Sequence, residues 1–170
     1  LYELLYDFPS LKLKDYLAQN SNLTTEQIDL LYDAGANKNY LAAYSKPTDE
    51  QFMRFVNIGK KNYLAQNPNL TTEQIDLLYQ TEGFDGKAFL AQNSQLTNEQ
   101  FMRAFNDKDV NKNYLAQNPN LTTEQIDFLY DADVDKWYVA RQSKLTEKQF
   151  MRFFNDGDVP KNNLAENRNL

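Results

Sequence analysis

A chain of 170 residues with 41% hydrophobic and 14% aromatic content can build a core, and it carries a formal charge of −6. It has no cysteine and no histidine, which removes disulfides, thiolate nucleophiles, Fe–S ligation, imidazole bases and most transition-metal sites. The acidic balance argues against nucleic acid as a partner, since phosphate neutralisation needs a basic stripe, and leaves a protein or peptide as the expected one.

No apolar run is long enough to span a bilayer and no leader of the secretory kind opens the chain. Membrane insertion is therefore not expected, and a cytoplasmic or virion-associated location is. Leu1 to Tyr6 reads like the tail of a repeat, and Asn169-Leu170 stops where another helix would begin. Residues 1–170 are accordingly expected to be one repeat array cut from a longer chain.

In chain order, a marker aliphatic residue recurs at Leu17, Leu41, Leu64, Leu90, Leu115, Val139 and Leu164. The spacing of about 23 to 26 residues falls in the range of solenoid repeats. Two unit types alternate. Units at Leu17, Leu64 and Leu115 continue as TTEQID followed by LLY or FLY, and those at Leu41, Leu90 and Val139 continue as EQFMR or KQFMR. Lys61 to Asp76 recurs unchanged from Lys112 to Asp127, so the period is a pair of units.

Each of the first six units holds a threonine followed three residues later by glutamine: Thr24 and Gln27, Thr48 and Gln51, Thr71 and Gln74, Thr97 and Gln100, Thr122 and Gln125, Thr146 and Gln149. This is the capping-box signature. Leucine precedes the threonine in five of them and Pro47 in the second, with an apolar residue four places after the cap, the pattern of a hydrophobic staple. Apolar residues then fall at the fourth, seventh and eighth helical positions, predicting a helix of about three turns with one buried face. Glu26, Glu73 and Glu124 suit the positive end of its dipole. The other half of each unit, such as Asn62 to Asn67, is long enough for one or two turns of α- or 3₁₀-helix. Asn67 followed by Pro68 reads as a stop, with asparagine in a left-handed cap. The expected fold is all-α: an α-solenoid of about seven helix-pair repeats of roughly 24 residues.

The stretch Tyr63-Leu64-Ala65-Gln66-Asn67-Pro68-Asn69-Leu70, with its threonine cap and following helix, resembles the bacterial leucine-rich repeat variant, and more distantly HEAT-like helical repeats. The resemblance implies alternating α and 3₁₀ helices wound into a right-handed superhelix. The cysteine-rich iron–sulfur segment of some members has no counterpart in a chain without cysteine, so the resemblance implies no cofactor here.

Three columns are candidates for binding. The sixth helical position lies roughly opposite the buried face and holds Leu30, Arg54, Leu77, Arg103, Phe128 and Arg152. Apolar and arginine residues alternating there could grip an extended partner, or the arginines could pair with Asp29, Asp76 and Asp127 within the fold. Tyr16, Tyr40, Tyr63, Phe89, Tyr114 and Tyr138 precede the marker residue and are expected to stack between units. The pairs Gln19-Asn20, Gln66-Asn67, Gln92-Asn93 and Gln117-Asn118 could form a hydrogen-bonded ladder.

Asp131-x-Asp133-x-Asp135 begins like a calcium loop, but Lys136 and Gln142 stand where glycine and an acid are needed, so no metal is expected. Asn22, Asn69 and Asn120 open glycosylation sequons whose threonines already have a capping role. The acids recur at equivalent repeat positions without a unique cluster, which does not suit carboxylate catalysis, and no enzyme is expected. The expected function is a non-catalytic scaffold that binds a protein or peptide. The alternatives are a structural component of a virion, filament or multidomain surface protein, and an acidic mimic of nucleic acid. Lys12, Lys14, Lys60, Lys61 and Lys108 interrupt the acidic face that a mimic requires.

Overall fold

A computed structural model describes residues 11–81, 83–93, 95–132 and 134–167. The expectations for Leu1 to Tyr6 and for Asn169-Leu170 lie outside them. Among the described residues the chain forms thirteen α-helices and no strand. Seven short helices, α1 (Leu11–Ala18), α3 (Lys38–Tyr44), α5 (Lys61–Leu64), α7 (Lys87–Asn93), α9 (Lys112–Ala116), α11 (Lys136–Gln142) and α13 (Lys161–Ala165), alternate with six of nine residues. The longer ones are α2 (Thr25–Asp33), α4 (Asp49–Asn57), α6 (Thr72–Gln80), α8 (Asn98–Asn106), α10 (Thr123–Asp131) and α12 (Glu147–Asn155). The chain divides into two compact units at Gly86 and Lys87.

All six longer helices start at the expected threonine in extended backbone, with both halves of the capping box formed. The glutamine does more than cap. Its Oε1 accepts from the threonine N–H, as in Gln74 to Thr71 at 3.2 Å, while its Nε2 donates back to the preceding longer helix. Gln51 reaches the Thr25 carbonyl at 2.9 Å, Gln74 reaches Asp49 Oδ1 at 3.0 Å, Gln125 reaches Asn98 Oδ1 at 3.0 Å, and Gln149 reaches the Thr123 carbonyl at 2.9 Å. These four glutamines are buried. Glutamate could supply the acceptor but not the donor, so at these four positions the amide does what the acid otherwise tolerated in a capping box could not.

The seventh helical position is buried in every longer helix, from Leu31 and Phe55 through Leu129 and Phe153. The fourth is buried from Ile28 to Ile126 and half-buried at Phe150. The eighth, expected inside, is half-buried at Tyr32, Val56, Tyr79, Phe105 and Tyr130 and exposed at Phe154. Short helices pack on the next short helix, α1 on α3 and α3 on α5 in the first unit, and α7 on α9, α9 on α11 and α11 on α13 in the second. The marker residues Leu41, Leu64, Leu90, Leu115, Val139 and Leu164 fill those contacts, each buried leucine contributing about 1.5–3 kcal/mol. Short helices of the second type run seven residues, whereas α5 and α9 run four and five, with Pro68 and Pro119 following four and three residues after their ends.

The asparagine before those prolines does not adopt the expected left-handed cap, since among the described residues positive φ occurs only at glycine. Asn67 is fully buried and its Nδ2 donates to the Ala42 and Ser45 carbonyls, each at 2.8 Å. Those carbonyls lie at the end of the preceding short helix, where intrahelical partners run out. Asn118 reaches Ala91 at 2.8 Å, and Asn167 reaches Ala140 and Ser143 at 2.7 and 2.8 Å. Glycine provides the left-handed stop elsewhere: Gly35 and Gly59, at φ 81° and 75°, close α2 and α4, with Ala36 and Lys60 N–H groups bonding back to Leu31 and Phe55.

Candidate functional site

The column at the sixth helical position separates into two populations. Arg54 lies 4.0 Å above the Tyr32 ring and pairs with Asp29 at 2.6 Å and Asp33 at 3.5 Å. Arg152 lies 3.6 Å above Tyr130, with Asp127 at 3.8 Å and Asp131 also in contact. The internal pairings Arg54 with Asp29 and Arg152 with Asp127 are thus formed, and each guanidinium stacks on a ring as well. Arg103 in α8 is half-buried.

A lysine also lies over each tyrosine, Lys38 at 4.6 Å from the Tyr32 ring and Lys136 at 4.5 Å from the Tyr130 ring. In the second unit Asp156 completes the arrangement, accepting from Tyr130 Oη at 2.6 Å and Lys136 Nζ at 2.9 Å. The Tyr130 hydroxyl, then Lys136 and the Asp158 N–H, hold the Asp156 carboxyl well below the usual carboxylate range. Burial, followed by the bond to Asp156, raises the Tyr130 phenol, and the same carboxylate raises Lys136. Lys87 and Asp107 repeat the lysine–aspartate contact at 2.9 Å.

The apolar members behave differently. Leu30 is half-buried, while Leu77 is 45% and Phe128 48% exposed. Phe128 meets the Phe105 ring edge-on at 5.4 Å and stands between two open hollows in the second unit. The larger, of about 400 Å³, is lined by Phe105, Glu124, Asp127, Phe128, Asp131 and Ala132. The smaller, of about 180 Å³, is bounded by Phe101 and Met102 together with Asn98, Glu124, Gln125 and Phe128. Glu124, Asp127, Phe128 and Asp131 are spaced along α10 so that they form one stripe over two turns. The surface places two aromatic rings beside three exposed carboxylates, of which Asp127 and Asp131 are paired with Arg152.

The helical periodicity places Phe128 opposite the buried face, but the hollows beside it need the neighbouring helix and are not visible in the sequence. A signal was present. Phenylalanine stands at Phe128 where Leu30 and Leu77 occupy the equivalent places, and Phe105 stands where Val56 does; both substitutions enlarge the same surface.

Among the described residues the tyrosine column does not form a continuous inter-unit stack: Tyr16 and Tyr63 are exposed, Tyr40 packs on Tyr44 within its own helix at 6.3 Å, and Tyr138 stacks on Trp137. Rings joining successive longer helices lie at the sixth, seventh and eighth positions, Tyr32 with Phe55 at 5.8 Å, Phe105 with Phe128 at 5.4 Å and Tyr130 with Phe153 at 4.8 Å. The amide ladder exists where Gln92 donates to Gln117 at 3.1 Å and through the buried asparagines. Of the calcium-like loop, Asp133 lies outside the described residues, Asp131 faces Arg152 and Asp135 accepts from Asn113 at 2.8 Å. The sequon asparagines Asn22 and Asn120 are exposed, and Asn69 Nδ2 donates to the Tyr44 carbonyl at 3.0 Å. Among the described residues no group of acids is arranged to hold a metal, and no helix is long and apolar enough to cross a membrane.

Comparison of the chain with protein-family models, with curated proteins and with solved structures gives no match. The resemblance to the leucine-rich repeat variant therefore rests on the repeat motif alone.

Proposed function

We propose that this chain is a non-catalytic helical-repeat scaffold, an α-solenoid of alternating unit types akin to leucine-rich repeat variant and HEAT-like arrays, that binds a protein or peptide partner. The observation that carries this reading is the contrast within one column. Arg54 and Arg152 are engaged between helices, whereas Leu77 and Phe128 at the same position are about half exposed. Large apolar side chains held at regular places on rigid helices are suited to anchoring a partner.

The test is affinity purification from the native source with the chain as bait, against a Leu77→Ser/Phe128→Ser variant of equal helicity. These residues suit the purpose better than Arg54 and Arg152, whose replacement would disturb the fold. Selective loss of a partner is expected. An unchanged set of captured proteins would overturn the reading, and recovery solely of a parent assembly through other surfaces would favour a structural role.

A further inference from the structure

Resting on that scaffold reading, we infer that the larger hollow beside Phe128 receives a short segment of a partner protein in which an arginine adjoins an apolar residue. Two features of the molecule specify this occupant. The first is charge: Glu124, Asp127 and Asp131 line the hollow; Arg152 pairs with both aspartates, Gln149 donates to Asp127 at 3.1 Å and Lys112 lies 5.1 Å from the Phe105 ring, so three carboxylates face two cations and Glu124 is the one Arg152 does not engage.

The second is a template inside the fold. Arg54 over Tyr32 with Asp29 and Asp33, and Arg152 over Tyr130 with Asp127 and Asp131, join neighbouring helices by laying a guanidinium on a ring flanked by carboxylates one turn apart. The stripe on α10 presents the same groups outward, with Glu124 one turn before Phe128 and Asp131 nearly one turn after it. A guest guanidinium stacked on Phe128 can place its planar fork on Glu124, while the adjacent apolar side chain packs in the hollow against the touching Phe105 and Phe128 rings and Ala132. A volume of about 400 Å³ sits at the low end of binding-pocket sizes, roughly 300–1,000 Å³, enough for one or two side chains.

The experiment is fluorescence anisotropy with a labelled nonapeptide of alternating arginine and leucine, and the same peptide carrying citrulline or glutamate for arginine. The arginine peptide is expected to bind, to weaken with added salt, and to lose about tenfold or more in affinity on conversion to citrulline or in Phe128→Ser and Glu124→Gln chains of unchanged helicity. Leu77→Ser should leave it unchanged. Equal binding of the glutamate peptide, indifference to Phe128→Ser, or no binding at all would overturn the inference, as would sedimentation showing that Phe128 instead holds two copies of the chain together. If the Leu77→Ser/Phe128→Ser bait still loses its native partner while the arginine peptide fails to bind, the choice of occupant is wrong and the scaffold reading stands.

Discussion

Gln74 binds the Thr71 N–H through one atom of its amide and Asp49 and the Pro47 carbonyl through the other. Gln74→Glu keeps the cap acceptor, removes the donor and sets a carboxylate against Asp49, so it should cost about 1–3 kcal/mol in urea unfolding, whereas capping alone would make glutamate neutral. Asn67→Ala removes the donor that serves two buried carbonyls and should cost about 2 kcal/mol in the same assay. Asp156 gives a pH signature. Its carboxyl is depressed by the Tyr130 hydroxyl and Lys136, so it stabilises the fold above the unfolded value of about 4, and that contribution disappears as pH falls through the lower folded value. Asp156→Asn should therefore be less stable than the parent chain at neutral pH, and the gap between their urea midpoints should close as the solution is acidified below the usual carboxylate range. A gap independent of pH would mean that the charge is not what matters there. The threonine caps were legible in the sequence because capping is local, spanning three residues. The second bond of each glutamine was not, since its acceptor lies on another helix more than twenty residues earlier.

Helix boundaries follow from the same local chemistry. Apolar periodicity and the threonine signal located all six longer helices, and the short ones were expected to be one or two turns because their sequences offer few residues between turn signals. Asn67 shows where local reasoning stops. A residue before proline at the end of a helix suggests a left-handed cap, but burial against the preceding short helix makes its side chain more useful as a donor. The eighth-position tyrosines are likewise expected in the core, although Tyr32 and Tyr130 instead sit half-buried with a lysine and an arginine over each ring. At the turn before Lys87, Gly86 is buried, and a Cβ there would lie 2.4 Å from the Phe84 ring. Gly86→Ala should destabilise the first unit by about 1–3 kcal/mol, read by thermal denaturation, while the additional substitution Phe84→Ala should relieve the clash itself.

The alternation of unit types, plain in the sequence, acquires a physical reason from the junctions within each compact unit. Passing from a second-type to a first-type repeat, a buried asparagine joins the short helices, as Asn67, Asn118 and Asn167 do. Passing from a first-type to a second-type repeat, an arginine of the second type stacks on a tyrosine of the first and pairs with its aspartates, as Arg54 and Arg152 do. The arginine belongs to one type and its tyrosine and aspartates to the other, so the pair is the unit of assembly. Because a nearest-neighbour array tolerates removal of whole repeats, the decisive measurement is the thermal unfolding of two deletions followed by far-ultraviolet circular dichroism. Removing residues 61–111 joins Lys60 to Lys112, whose sequence through Asp127 duplicates that from Lys61, and keeps the alternation; removing residues 61–86 joins two second-type repeats. The first should retain helicity in proportion to its length and a cooperative transition, and the second should lose both stability and cooperativity. Collapse of the first deletion, or equal stability of the two, would contradict a repeat scaffold built on paired junctions.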